Sequence, residues 1–111
     1  MAKVLSVVAP EKFQQVEYLE SKRALEEAGH QVITASTVKT PIDKLGKAHK
    51  ADLLIEETRV EDFDAILFVG GPGVYEYFEN DDVLDLARDF YNAGKPTTAI
   101  CAAPTILARA G

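Results

Sequence analysis

A chain of 111 residues, 47% of them apolar and 27% charged, has the size and composition of one globular domain. Its 18 acidic residues outnumber the 12 basic ones, and the net charge of −6 argues against binding to nucleic acid or to an anionic membrane, since both need a basic surface. A single cysteine excludes an internal disulfide, and with only two histidines it argues against a structural zinc site. No apolar run approaches the roughly 20 residues of a membrane helix, and charge comes too early in the chain for a signal peptide. These features predict a soluble, cytoplasmic protein that binds no nucleic acid, membrane or metal.

Strands and helices are predicted to alternate along the chain. The strands are short runs rich in β-branched and other apolar residues, whereas the helices begin at capping residues and end at glycines. In chain order the predicted elements are strand Lys3–Ala9, helix Gln14–Ala28, strand Gln31–Ala35, strand Asp52–Glu56, strand Ala65–Val69, helix Asp81–Ala93, strand Thr97–Ile100 and helix Ala102–Ala110. The polar stretch from 37 to 50 is predicted to be a connection. Because strand–helix–strand units join parallel strands by right-handed crossovers, the expected fold class is α/β, a three-layer, doubly wound and mostly parallel sheet of the flavodoxin-like type.

The lone cysteine, Cys101, follows the last predicted strand at the edge of the sheet where ligands bind in such folds. Ala99 and Ala103 stand two residues before and two residues after it, as the small residues of a nucleophile elbow do. A thiol in that place would lie at a helix N-terminus, where backbone N–H groups favour the thiolate. The alternative is a buried cysteine with only a packing role.

A glycine-rich run, Gly70-Gly71-Pro72-Gly73, follows another predicted strand and reaches the same edge. It lacks the ending of a phosphate-binding P-loop and does not spell the dinucleotide-binding fingerprint. The N–H groups of Gly71 and Ala102 could instead form an oxyanion hole, since glycine lets the backbone approach a reacting centre. The alternative is a tight turn without a catalytic role.

Aromatic residues follow the glycines directly: Tyr75, Tyr77 and Phe78 could line a pocket, contact another subunit or pack in the core. A small-molecule pocket at this edge would be lined by Gly70, Pro72, Gly73 and Tyr75.

Glu17 is the carboxylate best placed for this edge, because it lies near the start of the helix that follows the first strand. At 100° per residue it falls within the small and apolar face of that helix, which carries Tyr18, Ser21, Ala24, Leu25 and Ala28. A glutamate facing the core would stay protonated and could donate a hydrogen bond to a thiolate. The alternative is a solvated first-turn acid that complements the helix dipole.

The two histidines are predicted to lie away from the thiol. His30 comes between a helix end and a strand start and therefore belongs at the amino edge of the sheet, and His49 is interpreted as a solvated loop residue in a basic stretch. Neither pattern indicates a base for a cysteine–histidine pair.

The chain resembles the ThiJ/PfpI family over essentially its whole length, in the run of the first strand, in FQQVE and AGHQV around Glu17 and Gly29, in FDAILFVGGPG, and in GKPTTAICAAPTILARAG. The resemblance implies that Cys101 is the reactive residue, that Glu17 is the glutamate of the first helix, and that Gly71 and Ala102 supply the oxyanion donors. It also implies a cofactor-free enzyme of the glyoxalase or deglycase type, acting on a small carbonyl substrate through the Cys101 thiolate, and a homo-oligomer.

Two departures from the family pattern qualify these expectations. Protease-like members carry a histidine directly after the elbow cysteine, where this chain has Ala102, and this argues against peptidase or amidase activity. Members of the family also continue for several more strands and a final helix. We therefore expect residues 1–111 to be the N-terminal part of one longer domain, covered by a companion C-terminal segment or chain. The alternative function is a noncatalytic redox sensor or stress chaperone, in which Cys101 is oxidised to the sulfinic acid beside a protonated Glu17.

Overall fold

The computed structural model describes residues 2–71, 77 and 80–99, over which strands and helices alternate as the sequence predicts. In chain order the elements are β1 (Lys3–Val7), β2 (Glu11–Phe13), α1 (Gln15–Glu27), β3 (Gln31–Ser36), β4 (Ile42–Asp43), β5 (Leu53–Leu54), β6 (Ala65–Phe68), α2 (Asp81–Asn92) and β7 (Thr97–Ala99). Short 3₁₀ turns at Ile55–Glu57 and Val60–Asp62 link β5 to β6. The predicted strand residue Ile100 and the predicted helix at 102–110 lie outside the described residues.

A five-stranded parallel sheet in the order β5-β3-β1-β6-β7 forms the centre of the fold. β1 is the middle strand, with Val4 opposite Val32 of β3 on one side and opposite Ala65 of β6 on the other. Its residues Val4 and Leu5, which point to opposite faces, are both buried, as expected for a strand that is covered on both faces. The continuous apolar runs of the sequence therefore correctly predicted a parallel α/β sheet.

The two described helices begin at side-chain caps. The side chain of Gln14 accepts a hydrogen bond from the N–H of Val16 at the start of α1, and Asn80 Oδ1 accepts one from the N–H of Val83 at the start of α2. Gly29 follows α1 with a φ of 91°, the left-handed conformation that commonly ends a helix. The chain crosses from β1 to β3 through α1 and, in the opposite direction along the sheet, from β6 to β7 through α2. Right-handed crossovers in opposite directions place the two helices on opposite faces, which gives the three layers.

The stretch from 37 to 50 is more than a connection. Ile42–Asp43 forms β4, which pairs in parallel with β2 outside the main sheet. The predicted strand at Asp52–Glu56 is also wrong in extent, since only Leu53–Leu54 pairs with β3 and the chain then turns into a 3₁₀ helix. Two-residue strands leave no periodic pattern in the sequence, so local composition could not separate them from loops.

The predicted helix faces need small corrections. In α1, Tyr18 is buried, but Ala24 and Ala28 are exposed, because the helix is rotated so that Lys22 rather than Ala24 borders the buried side. In α2 the predicted residues Val83, Ala87 and Phe90 are buried, whereas Tyr91 is 73% exposed and Leu86 takes its place in the core.

Tyr77 lies in the core rather than in a pocket. It is 1% exposed, and its hydroxyl donates to the carbonyl of Val8 over 2.7 Å. The same oxygen accepts a hydrogen bond from the N–H of Thr37 over 3.2 Å and lies 3.2 Å from Oγ of Ser36. It therefore ties the ends of β1 and β3 together. None of the described helices is long and apolar enough to cross a membrane.

Candidate active site

The candidate site lies at the carboxyl edge of the sheet, where the winding direction reverses. From β1 the chain moves outward to β3 and β5, and it later returns to β6 on the other side of β1. The segments that follow β1 and β6 therefore belong to halves of the fold that are wound in opposite directions, and ligands usually bind at this point of doubly wound folds.

These two segments are held in direct contact. The N–H of Gln14 donates to the carbonyl of Gly70 over 2.9 Å, and the N–H of Val69 donates to the carbonyl of Val7, also over 2.9 Å. Gly71 has a φ of 119°, and a Cβ atom there would lie 2.5 Å from the backbone nitrogen of Gln14 and 2.8 Å from the carbonyl oxygen of Lys12. Only glycine fits this position, because any side chain would collide with backbone.

Lys12, whose carbonyl oxygen lies against Gly71, also has an unusual backbone conformation. Its φ is 58°, which makes it the one non-glycine residue with a left-handed backbone conformation in the described part of the chain. Such a conformation costs about 1–3 kcal/mol, and residues that adopt it cluster at functional sites. The loop after β1, residues 8–14 including β2, is thus locally strained where it contacts Gly71.

Glu17 lies in the first turn of α1, three residues after the Gln14–Gly70 contact. The residue is half-buried and its Oε1 is shielded from solvent, as is Oε1 of Gln15. Oγ of Ser21 donates to the backbone carbonyl of Glu17 over 2.6 Å. The N-terminal turn of α1 thus carries buried side-chain oxygens at the carboxyl edge of the sheet.

His49 is not a solvated loop residue, contrary to the sequence-based expectation. Its side chain is 11% exposed, and Nε2 donates to Oδ2 of Asp43 over 2.8 Å. Oδ1 of Asp43 accepts hydrogen bonds from the N–H groups of Leu45 and Lys47 over 2.9 and 3.0 Å. The hydrogen bond from His49, helped by those backbone N–H groups, holds the pKa of Asp43 below its ordinary value, against the opposing effect of burial.

The His49 ring also contacts two aromatic residues next to the candidate site. It meets Phe13 edge-on at 5.0 Å between ring centroids and Tyr18 at 5.7 Å, and the rings of Phe13 and Tyr18 are 5.6 Å apart. The hydroxyl of Tyr18 lies 2.7 Å from Oγ1 of Thr34 in β3. Sequence analysis missed this cluster because the basic neighbours of His49 suggested solvent. The only available signal was an aspartate six residues earlier, across a turn that contains Gly46.

His30 lies where the sequence placed it, at the amino edge of the sheet. Its Nδ1 accepts a hydrogen bond from the N–H of Ala2 over 2.9 Å, beside the first residues of β1 and β3.

The remaining predicted site residues, Pro72, Gly73, Tyr75, Cys101 and Ala102, lie outside the described residues. Phe68, the last residue of β6, is paired with Ala99, the last residue of β7. The chain therefore leaves β7 at the same edge as Gly70, two residues before Cys101. Within the described ranges, no three His, Cys, Asp or Glu side chains are grouped as metal ligands.

Comparisons with known proteins agree with this architecture. The DJ-1/PfpI family model matches residues 2–111. "Uncharacterized protein MJ0967" of Methanocaldococcus jannaschii is 38% identical over 99% of this chain and 55% of its own length, and "Deglycase PfpI" of Pyrococcus furiosus is 36% identical over 98% of this chain and 66% of its own. The crystal structure of a ThiJ/PfpI domain protein from Brachyspira murdochii superposes with a TM-score of 0.92 at 35% identity, covering 97% of this chain and 63% of that one. The chain thus spans between about half and two thirds of the length of these relatives.

Proposed function

The chain belongs to the DJ-1/PfpI family, and on that premise we propose that it forms part of a cysteine-dependent enzyme that acts on reactive carbonyl compounds. The name of the Pyrococcus furiosus relative, a deglycase, supports activity of this class. The proposed substrate is a small 2-oxoaldehyde such as methylglyoxal.

The proposal is based on one observation: Gly71 and the turn that bears Glu17 meet at the carboxyl edge of the sheet, where the winding direction reverses. The Gln14–Gly70 hydrogen bond of 2.9 Å fixes Gly71 against the loop after β1, and that loop runs directly into the turn of α1 that bears Glu17. β7 ends beside β6 at this edge, so the chain approaches it two residues before Cys101. A nucleophile, a proton carrier and backbone donors would then share one crevice.

The proposed reaction needs no redox partner. The Cys101 thiolate adds to the aldehyde carbon, and the carbonyl electron pair moves onto oxygen, where the N–H groups of Gly71 and Ala102 stabilise it. Glu17, as the acid, protonates that oxygen to give a hemithioacetal. The resulting carboxylate removes the proton from the former aldehyde carbon to give an enediolate and returns it to the neighbouring carbon, while the hydroxyl proton on the former aldehyde carbon passes to the oxygen of that neighbouring carbon, which leaves a lactoyl thioester. Water hydrolyses the thioester, releasing lactate and the free thiol.

The test is conversion of methylglyoxal to lactate by the full-length protein and three variants. Cys101→Ser should abolish turnover, because the hydroxyl is not ionised near neutral pH. Glu17→Leu should lower kcat by about 10²–10⁴-fold, the usual contribution of a general acid–base group. Glu17→Gln keeps a hydrogen-bond donor but cannot transfer the proton, so it should lower kcat while leaving Cys101 alkylation by iodoacetamide near its wild-type rate.

Two results would contradict the proposal: no turnover by the wild-type protein, or turnover that survives Cys101→Ser. A protein that gives no turnover but accumulates Cys101 sulfinic acid under peroxide would instead support the redox-sensor alternative. Peptide hydrolysis that depends on Cys101 would support the peptidase alternative.

A further inference from the structure

The Asp43–His49 pair has no part in the proposed chemistry, yet its side chains are largely buried beside the loop after β1 and the first turn of α1. We propose that His49 is a positioning residue: held by Asp43, it fixes the loop after β1 and the first turn of α1, and thereby fixes Gly71 and Glu17 relative to each other. The catalytic consequence rests on the proposed function, whereas the positioning itself does not.

Asp43 provides the rigid base of this arrangement. Its side chain is 2% exposed, and its two oxygens accept three hydrogen bonds, from His49 Nε2 and from the N–H groups of Leu45 and Lys47. The pairing of β4 with β2 fastens the same segment to the loop after β1. The N–H of Ile42 donates to the carbonyl of Pro10, and that of Lys44 donates to the carbonyl of Phe13, each over 3.0 Å.

His49 connects this base to the site. Its backbone N–H donates to the carbonyl of Pro41 over 2.8 Å, and its ring nitrogen is held by Asp43, so both ends of the residue are fixed. The His49 ring packs edge-on against the rings of Phe13 and Tyr18. Phe13 immediately precedes Gln14, which bonds to Gly70, and Tyr18 immediately follows Glu17.

Phe13 and Tyr18, the two residues that the His49 ring contacts, are therefore each adjacent in sequence to a residue of the candidate site. In a packed interior, the loss of a ring leaves space into which neighbouring side chains move. If His49 were removed, Phe13 and Tyr18 would be free to shift, and the Gln14–Gly70 hydrogen bond would be the first contact of the site to weaken. A residue with only a packing role would instead weaken the whole sheet evenly.

Amide hydrogen exchange and steady-state kinetics of the full-length protein test the proposal. The key variant is His49→Ala, and the matched control is His30→Ala, which removes the other partly buried histidine at the opposite edge. In His49→Ala we expect the Gln14 amide to exchange about tenfold faster than in the wild type, while the amides of β1 change by less than about twofold. We also expect kcat for methylglyoxal to fall about tenfold, with KM within about twofold, because the reacting groups are misplaced while substrate binding is retained.

A second variant, His49→Gln, keeps a donor for Asp43 without the ring and covers the case in which His49→Ala does not fold. In this variant, the exchange rate of the Gln14 amide and kcat for methylglyoxal should each lie between the values of the wild type and of His49→Ala. The His30→Ala control should leave both quantities unchanged.

Equal acceleration of exchange at Gln14 and throughout β1 would overturn the proposal, as would no change at Gln14. Faster exchange at Gln14 with wild-type kcat would overturn the catalytic part. If the wild-type protein has no turnover, the proposed function fails, but the exchange comparison still decides whether His49 positions this loop.

Discussion

Gly71 is a residue whose identity is dictated by its backbone rather than by a side chain. Its φ of 119° lies in the region that only glycine adopts readily, and a Cβ would lie 2.5 Å from the nitrogen of Gln14. Gly94, after α2, has a φ of 73° but nothing within 4 Å of its Cβ position. Replacing each glycine in turn therefore separates the energetic cost of a positive φ, which both positions share, from the cost of a collision with backbone, which occurs only at position 71.

We predict that Gly71→Ala lowers the free energy of unfolding by about 2–4 kcal/mol, whereas Gly94→Ala lowers it by only about 1 kcal/mol. The larger loss includes displacement of Gln14 and its hydrogen bond to Gly70. Urea unfolding of both variants beside the wild type measures the difference. Equal losses would mean that the loop after β1 moves aside at no cost and that the contact is not a tight one.

The sequence predicted Glu17 and Gly71 as members of one site because both follow strands of a predicted parallel sheet. It could not predict the Lys12 conformation or the contact between Lys12 and Gly71, since nothing in the residue type lysine indicates a left-handed backbone. Contacts of this kind arise from the way two loops meet and are visible only once the strands are ordered.

Among the elements, the β2–β4 pair is one whose stability depends on the ionisation of Asp43. The hydrogen bond from His49 lowers the pKa of Asp43 in the folded protein below the value in the unfolded chain. A carboxylate with a depressed pKa contributes stability that is fully present above its unfolded pKa and is lost as pH falls through its folded pKa. Below about pH 4, β4 and its turn should therefore be among the first parts to loosen.

We predict that Asp43→Asn is less stable than the wild type at neutral pH and that the difference shrinks as pH falls from about 4, near the pKa of Asp43 in the unfolded chain, through its lower pKa in the folded protein. The free energy of unfolding, measured by urea titration at several pH values, gives the two curves. Glu20→Gln, which neutralises an exposed carboxylate of α1, is the control and should run parallel to the wild type. A constant gap between Asp43→Asn and the wild type at all pH values would contradict the prediction.

Elements that carry a strong local pattern of apolar, capping or breaking residues were predictable from the sequence. β1, β3 and β6 are covered on both faces and appear as continuous apolar runs, and α2 has a capping asparagine at one end and a glycine after the other. β2 and β4 are stabilised by a partner far along the chain and by the hydrogen bond between His49 and the buried Asp43, so neither leaves a local signal. The same reason explains why His49 was read as a surface residue.

At the scale of the whole molecule, several large apolar side chains are exposed in the described part of the chain. Val16 and Leu19 on α1 are 50% and 48% exposed, and Leu45 and Tyr91 are 75% and 73% exposed. The relatives are longer than this chain, which covers 55% of the Methanocaldococcus protein and 66% of the Pyrococcus one. Because α1 and α2 lie on opposite faces of the sheet, we propose that a further segment, from the same chain or from another, packs on the exposed residues of at least one of these faces.

We predict that residues 1–111 expressed alone bind a hydrophobic dye and associate, because exposed apolar surface of this kind favours self-association. The longer protein, if it carries the segment found in its relatives, should bind less dye under the same conditions. Dye fluorescence together with light scattering provides the measurement. A monodisperse 1–111 that unfolds cooperatively would contradict the prediction.

The central position of β1 sets the order in which the molecule can assemble during synthesis. The hydrogen bond from Ala2 to His30 joins residues 28 apart, whereas the bond from Lys3 to Asp64 joins residues 61 apart. The closure entropy of a loop grows by about 0.6 kcal/mol for each doubling of its length, so the β1–β3 edge closes first. The opposite edge of β1 stays open until residues 65–68 have left the ribosome. During that interval Val4, Leu5 and Val7 form an unpaired apolar strand edge, and a nascent chain held at this stage is the form most exposed to pairing with a neighbouring chain.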